Sequence, residues 1–326
     1  MHIAIPDDYQ DCVRHLDCFA KLAGHEVSVF NDTVSDLDAL AERLAPADAI
    51  VLTRERTRIG AALLERLPRL RLISQTGKLA GHVDLAACTA RGIAVAEGSG
   101  SGAATAELAW LLAMASRRHL VAEVNGLRAG GWQTTLGQQL QGQRLGVWSY
   151  GRIGRQVAAY GRTFGMQVWV WGREASTAQA RNDGFDVAPS REAFFADSDI
   201  VSLHLRLNAE TRGIVQPADL ARMKPSALLV NTSRAELVAP GALEQALRAG
   251  RPGFGAVDVY EQEPVLGATH PLLQLPNALC TPHIGYVEKD NYERYFGIAF
   301  DNINRFAEGA LAEVVNPEAL GGKPGD

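Results

Sequence analysis

Apolar residues along this chain fall into two series of short runs, separated by longer segments of helical periodicity. The first series occupies residues 2–6, 26–30, 49–53, 72–75 and 93–96, and each run ends in polar or glycine-containing sequence. Short runs bounded by turn residues read as strands, and their alternation with helical segments predicts a doubly wound parallel sheet. Residues 97–102 (EGSGSG) interrupt that pattern with small residues, the composition of a hinge rather than of an element interior. A helical pattern then runs from Ala104 past Arg118, and beyond a polar stretch at 130–143 a second series of strands begins. Its members are 145–148, 168–171, 200–205, 227–231, 255–259 and 278–281, enough with their helices for a complete Rossmann-type domain. A last helical pattern near 290–306 and the tail at 313–317 are too short for a third domain and are expected to cross back to the first. The pattern predicts an α/β chain of two doubly wound parallel-sheet domains. A Rossmann cofactor domain, 100–287, is inserted in a flavodoxin-like substrate domain made of 1–99 and 288–326.

Composition agrees. A length of 326 residues suits two domains at about 100–200 residues each. With 47% hydrophobic and 21% charged residues there is ample core material, yet no apolar run approaches the roughly 18 residues of a membrane span. The start, Met1 to Pro6 followed at once by Asp7 and Asp8, lacks the basic opening and long apolar stretch of an export signal, so a cytoplasmic protein is expected. A net charge of −5 with interspersed signs argues against a nucleic-acid or anionic-membrane surface. Cys12, Cys18, Cys88 and Cys280 form no C-x-x-C pair and have no histidine at zinc spacing, which predicts neither a metal site nor a disulfide framework.

Candidate chemistry begins at residues 149–154 (SYGRIG), one glycine short of a dinucleotide fingerprint. An apolar strand enters this loop, and a helix with Val157, Ala158 and Phe164 on its apolar positions leaves it, which is the setting the fingerprint requires. Gly151 would admit a pyrophosphate to the backbone, and Gly154 would permit close helix-strand packing. Ser149 stands at the tight-turn position and reads as a tolerated substitution, provided that its φ is negative. Ser149, Tyr150, Gly151, Arg152 and Ile153 are the candidate pyrophosphate loop. The next strand ends in Gly172-Arg173-Glu174, where an NAD site would place an acid for the ribose. Arg173 suits the 2′-phosphate of NADP, while Glu174 offers the alternative of a ribose contact and NAD.

Three later strands end in ionisable groups: Arg234 after 227–231, Glu263 after 255–259 with Asp258 inside the strand end, and His283 after 278–281. Ligands of open parallel sheets sit beyond the carboxyl ends of strands. Singly each group has a bland explanation as a cap, a solvated turn or a loop histidine. Together they suit hydride transfer at an alcohol carbon, which needs a base, a cation for a carboxylate or carbonyl oxygen, and an acid that orients the base.

With these segments in view the chain resembles the D-2-hydroxyacid dehydrogenase family over nearly its whole length. The segments are 145–155 (LGVWSYGRIGR), 201–213 (VSLHLRLNAETRG), 223–234 (MKPSALLVNTSR), 258–264 (DVYEQEP) and 281–285 (TPHIG). The resemblance implies that Arg234 holds the substrate carboxylate and keto oxygen, that His283 is the general acid/base, and that Glu263 is its partner. It implies that Asp258 meets the nicotinamide amide and that His204 and Thr232 join the cofactor-binding set. It also implies a homodimer, for which the helical pattern from Ala104 carries the apolar surface. Four positions depart from the family pattern: Ser149 for glycine, Gly172 for aspartate, Arg206 for proline and Ala235 for glycine. Gly172 and Arg206 bear on the adenosine end, so cofactor choice stays open.

The first domain should pin the substrate, through the loop after each of its third and fourth strands. Residues 76–81 (TGKLAG) resemble the family loop whose N–H groups, here near Lys78 and Leu79, bind the carboxylate. Arg54, Arg56 and Lys78 would favour a second anion, as in 3-phosphoglycerate, although charge runs of this kind are usually solvated. The chain ends without the regulatory domain of many phosphoglycerate dehydrogenases, so feedback through such a domain is not expected. A second reading, a nucleotide-sensing binding protein of the same fold, predicts cofactor-dependent partner binding with little turnover.

Overall fold

The computed structural model describes residues 1–311 and 313–320. The chain divides into two compact units, one formed by Met1–Ser101 and the chain from Glu288 onward, the other by Gly102–Val287. The first is built on five parallel strands, β1 (His2–Ile5), β2 (Glu26–Val29), β3 (Ala49–Leu52), β4 (Leu72–Gln75) and β5 (Ala94–Ala96), in the order β2-β1-β3-β4-β5. Strands β3 and β4 are buried at every position, β3 as a continuous apolar run and β4 with the polar Ser74 and Gln75 at its end. Leu44, Leu52, Leu63 and Val95 belong to the core on one side. On β4 the hydroxyl of Ser74 donates to the carbonyl of Ala299 at 3.0 Å, tying the helix Lys289–Ala307 to this sheet. The tail is tied as well, because Val315 N–H donates to Val95 O at 2.7 Å and Asn316 Oδ1 accepts from Val95 N–H at 2.8 Å. Residues 321–326, which the sequence reading places in this domain, lie outside the described residues.

The second unit carries seven parallel strands: β6 (Arg144–Trp148), β7 (Gln167–Trp171), β8 (Asp186–Val187), β9 (Ile200–Leu203), β10 (Leu228–Asn231), β11 (Phe254–Val257) and β12 (Ala278–Cys280). Their order is β12-β11-β10-β9-β6-β7-β8, which reverses direction between β6 and β9, the switch point of an open doubly wound sheet. Alternate residues serve opposite faces: Leu145, Val147 and Val230 join one core, Trp148, Leu229 and Val257 the other.

Three expectations change here. Strand β8 was not expected, since two residues cannot generate an alternation. The long helical pattern is two helices, Ala103–Arg117 and Leu120–Arg128, because His119 takes a left-handed φ of 49° between them. The apolar periodicity continues through that break and so conceals it. Finally, β11 stops at Val257, which leaves Asp258 just beyond the strand rather than inside it.

Candidate active site

Strands β10, β11 and β12 run in register, with Asn231 paired to Val257 and Val257 to Cys280, so the segments that follow them leave one sheet edge side by side. After β10, buried Asn231 organises the turn: its Nδ2 donates to Arg234 O at 2.8 Å and its Oδ1 accepts from Ser233 N–H at 3.1 Å. This fixes the half-buried Arg234, whose Nη1 donates to Ser233 O at 2.7 Å. After β11, Glu263 folds back so that its Oε1 accepts from Tyr260 N–H at 2.9 Å. After β12, His283 presents Nδ1 to Glu263 Oε2 at 2.5 Å, with its ring edge-to-face against Tyr286 at 5.4 Å. An ionised carboxylate only accepts hydrogen bonds, so Nδ1 carries the proton and Nε2 is left to exchange one.

Asp258 holds the histidine loop. It is fully buried, and its two oxygens accept from Thr281 Oγ1 at 2.6 Å, Ile284 N–H at 2.8 Å and Gly285 N–H at 2.8 Å. Burial pushes its pKa up, against the lowering effect of those same hydrogen bonds. His283 sits at a left-handed φ of 52°, a conformation that a non-glycine residue keeps only where its surroundings enforce it, as these bonds do.

At the glycine loop, the helix Arg152–Thr163 opens at Gly151 with no side-chain cap, and a Cβ on Gly151 would meet open space. Gly154 has no such room, since a Cβ there would strike the carbonyl of Ser149. Ser149 itself adopts a φ of 80°, so it does not sit in the ordinary turn conformation expected for it. The chain keeps a serine where only glycine is unstrained. Its N–H is bound to Trp171 O at 2.8 Å, which fixes the turn despite that cost. Tyr150 turns inward: it is buried, its hydroxyl donates to Asp183 at 2.9 Å, and burial together with Asp183 pushes its phenol up to about 12. Its backbone N–H is taken by Ser176 Oγ at 2.7 Å, a loop contact that nothing in the motif announces. Ile153 packs against the core, and Arg152 is exposed at the first position of the helix.

At the end of β7, Gly172 and exposed Arg173 precede the helix Glu174–Asn182, whose first turn Arg173 caps through its carbonyl, accepting from Ser176 N–H at 2.9 Å and Thr177 N–H at 3.1 Å. Glu174 is engaged with Arg181 at 3.1 Å and with Thr177. Seven buried side-chain polar atoms of this unit lack partners among the described residues, and two of them, Thr232 Oγ1 and His204 Nδ1, stand just after the ends of β10 and β9. His204 Nε2 meets Ser202 Oγ at 2.9 Å, and burial pushes the imidazole down to about 4, so it is neutral near pH 7. An open Gly151, an uncapped helix start and two orphaned polar atoms at strand ends fit a dinucleotide.

In the first unit, Arg54 takes a φ of 53°, donates to Thr76 O at 3.4 Å and stacks its guanidinium 5.4 Å from the centroid of Tyr295. Gly77, at a φ of 86°, leaves the space that this guanidinium fills. Arg56 is held by Asp7 O at 2.6 Å and Tyr292 Oη at 3.3 Å. Lys78 pairs with Glu97 at 2.7 Å, and Leu79 N–H donates to the same carboxylate at 2.6 Å. Each of the three basic residues is thus engaged by the protein, Arg54 on the same loop that carries Lys78. Glu97 escaped the sequence reading because it opens a small-residue stretch, though an acid in such a stretch was a visible signal. Among the described residues no group of His, Cys, Asp or Glu could hold a metal, and no helix is long and apolar enough to cross a membrane.

An imidazole backed by a carboxylate, an arginine on the neighbouring strand end and a loop fitted to a dinucleotide define an oxidoreductase that works on an alcohol or ketone. A family model for the NAD-binding domain of D-isomer specific 2-hydroxyacid dehydrogenases matches residues 110–285. The chain is 34% identical over 294 residues to a glyoxylate reductase of Aeropyrum pernix, covering 87% of each protein. Among solved structures it is 53% identical to an oxidoreductase from Ralstonia solanacearum, with a TM-score of 0.96 and 98% of each chain covered. It is also 53% identical to a phosphoglycerate oxidoreductase from Vibrio cholerae o395, with a TM-score of 0.93, covering 95% of this chain and 100% of that one. The chain belongs to the D-isomer specific 2-hydroxyacid dehydrogenase family, and it is an oxidoreductase with that family's NAD-binding domain, acting on the CH–OH group of a 2-hydroxy acid. The relatives named here are enzymes and lend nothing to the nucleotide-sensor reading.

Proposed function

We propose that this enzyme reduces a small, unphosphorylated 2-keto acid to its D-2-hydroxy acid and prefers NADPH to NADH. The observation that carries the reading is the His283–Glu263 pair, 2.5 Å apart, beside the turn that fixes Arg234. Bound nicotinamide would supply the hydride at the carbonyl carbon. His283 delivers a proton from Nε2 to the carbonyl oxygen, and takes it back in the reverse direction. Glu263 holds the ring in the tautomer that leaves Nε2 facing the reaction. Arg234 pairs with the substrate carboxylate and polarises the carbonyl oxygen. Gly151, Arg152 and Ile153 would hold the pyrophosphate at the helix start, with Thr232, Asp258 and His204 nearer the nicotinamide end.

Preference for NADPH is supported by Gly172, which offers no carboxylate, by the engagement of Glu174 with Arg181, and by exposed Arg173 ahead of a helix start. A substrate without phosphate is supported by the neutralisation of Lys78 by Glu97 and by the main-chain carbonyls that Arg54 and Arg56 already engage. The protein acts as a cytoplasmic homodimer on this reading, supported by its four free cysteines and by an apolar face on the helix Leu120–Arg128, which buries none of its residues. The test is a panel of glyoxylate, pyruvate, hydroxypyruvate and 3-phosphohydroxypyruvate, each run with NADH and with NADPH. Highest kcat/KM with an unphosphorylated acid and NADPH is expected. The highest value with the phosphorylated acid refutes the substrate class, and equal use of both cofactors refutes the preference. Arg173→Ala should weaken NADPH more than NADH.

A further inference from the structure

Glu97 directly follows β5, next to the loop that follows β4, and its main chain is fixed there. Gly98 N–H donates to Gly77 O at 2.9 Å, Asn302 Nδ2 donates to Glu97 O at 3.4 Å, and a Cβ on Gly98 would stand only 2.9 Å from Gly77 N. Held this way, the side chain lies across the loop, Oε1 on Leu79 N–H at 2.6 Å and Oε2 on Lys78 Nζ at 2.7 Å. One main-chain N–H and one ammonium are the partners that a free carboxylate would seek at this loop. The carboxylate already there belongs to the protein.

We propose that Glu97 is an internal competitor for the carboxylate position of the Thr76–Gly81 loop, and that its displacement sets the affinity of this enzyme for carboxylate substrates. The inference rests on the reading that this loop receives the substrate carboxylate. Because the peptide group that follows Glu97 is held at both its C=O and its N–H, displacement is a rotation of the side chain. The side chain of Lys78 is 75% exposed and that of Glu97 22%, so the pair is reached from solvent and partly screened. Such a contact gives way to a competing anion at a cost of roughly three- to tenfold in affinity.

The experiment measures oxalate binding by calorimetry in the full-length wild type and in Glu97→Gln and Glu97→Ala, alongside KM and kcat for glyoxylate. Glutamine can still accept from Leu79 N–H but loses the charge, and alanine frees both donors. Oxalate should bind about threefold tighter to Glu97→Gln and about tenfold tighter to Glu97→Ala, with KM falling in parallel and kcat within about twofold of wild type. Unchanged or weaker oxalate binding in the variants, both melting as the wild type does, overturns the proposal, since Glu97 then merely braces the loop. If the wild type turns over no 2-keto acid the functional reading fails by itself, and the oxalate comparison still decides the role of Glu97.

Discussion

Nδ1 of His283 stands 2.5 Å from Oε2 of Glu263, while Oε1 of the same carboxylate accepts the N–H of Tyr260 at 2.9 Å. Both oxygens are therefore committed, one to the imidazole and one to the backbone. In Glu263→Gln a single carbonyl oxygen faces two donors, so either His283 or Tyr260 meets an NH2 group instead. We expect kcat to fall roughly tenfold or more with little change in KM, measured by steady-state kinetics with the preferred keto acid. A kcat within twofold of wild type would show that the carboxylate does not orient the ring.

Ser149 provides a prediction about stability. Its φ of 80° costs a non-glycine residue about 1 kcal/mol, and glycine removes most of that cost. Ser149→Gly should raise the melting temperature of the Gly102–Val287 unit by about 2–4 °C in calorimetry. A lower melting temperature would contradict the strain.

The pH dependence follows from His204. The residue is only half-buried as a whole, but its Nδ1 is sealed, and burial holds its folded pKa at about 4 against an ordinary value of 6.5. Between these values the unfolded chain binds a proton that the folded one refuses. Stability contributed by the neutral ring is therefore complete above about pH 6.5 and is lost as pH falls towards 4, by an amount on the order of 2–3 kcal/mol. Urea unfolding of wild type and His204→Gln at pH 7 and pH 5 tests this, and the variant should lose less stability on acidification. Equal losses would remove His204 as the titrating group.

Assembly should follow the exposed apolar residues of the second unit. Leu127 is 60% exposed, Trp132 76% and Leu136 93%, a contiguous stretch of chain in which a monomer would leave large side chains in water. Light scattering should give a dimer for the wild type and a monomer for Leu127→Asp with Leu136→Asp. A monomeric wild type at micromolar concentration would contradict the homodimer.

Much of the fold was legible because parallel strands buried on both faces are largely apolar runs, such as 49–52 and 228–230, which stand out from the helices between them. The two-residue β8 and the break at His119 were not legible, the first too short to carry a pattern and the second hidden under uninterrupted apolar spacing. The ionisable groups at strand ends could be named from their positions, but their partners could not. That Asp258 ties down the histidine loop, that Ser176 takes the Tyr150 N–H, and that Glu97 occupies Leu79 all depend on segments far apart in sequence. Ser149 shows the limit most clearly, since φ at one turn residue is set by the strand and helix it joins.

The most direct measurement incubates the wild type and His283→Asn with hydroxypyruvate and NADPH, follows loss of the reduced nicotinamide, and determines the configuration of the glycerate formed. Turnover by the wild type to D-glycerate, abolished in His283→Asn while NADPH still binds, is the predicted result. An L product, or undiminished turnover in His283→Asn, would contradict the assignment.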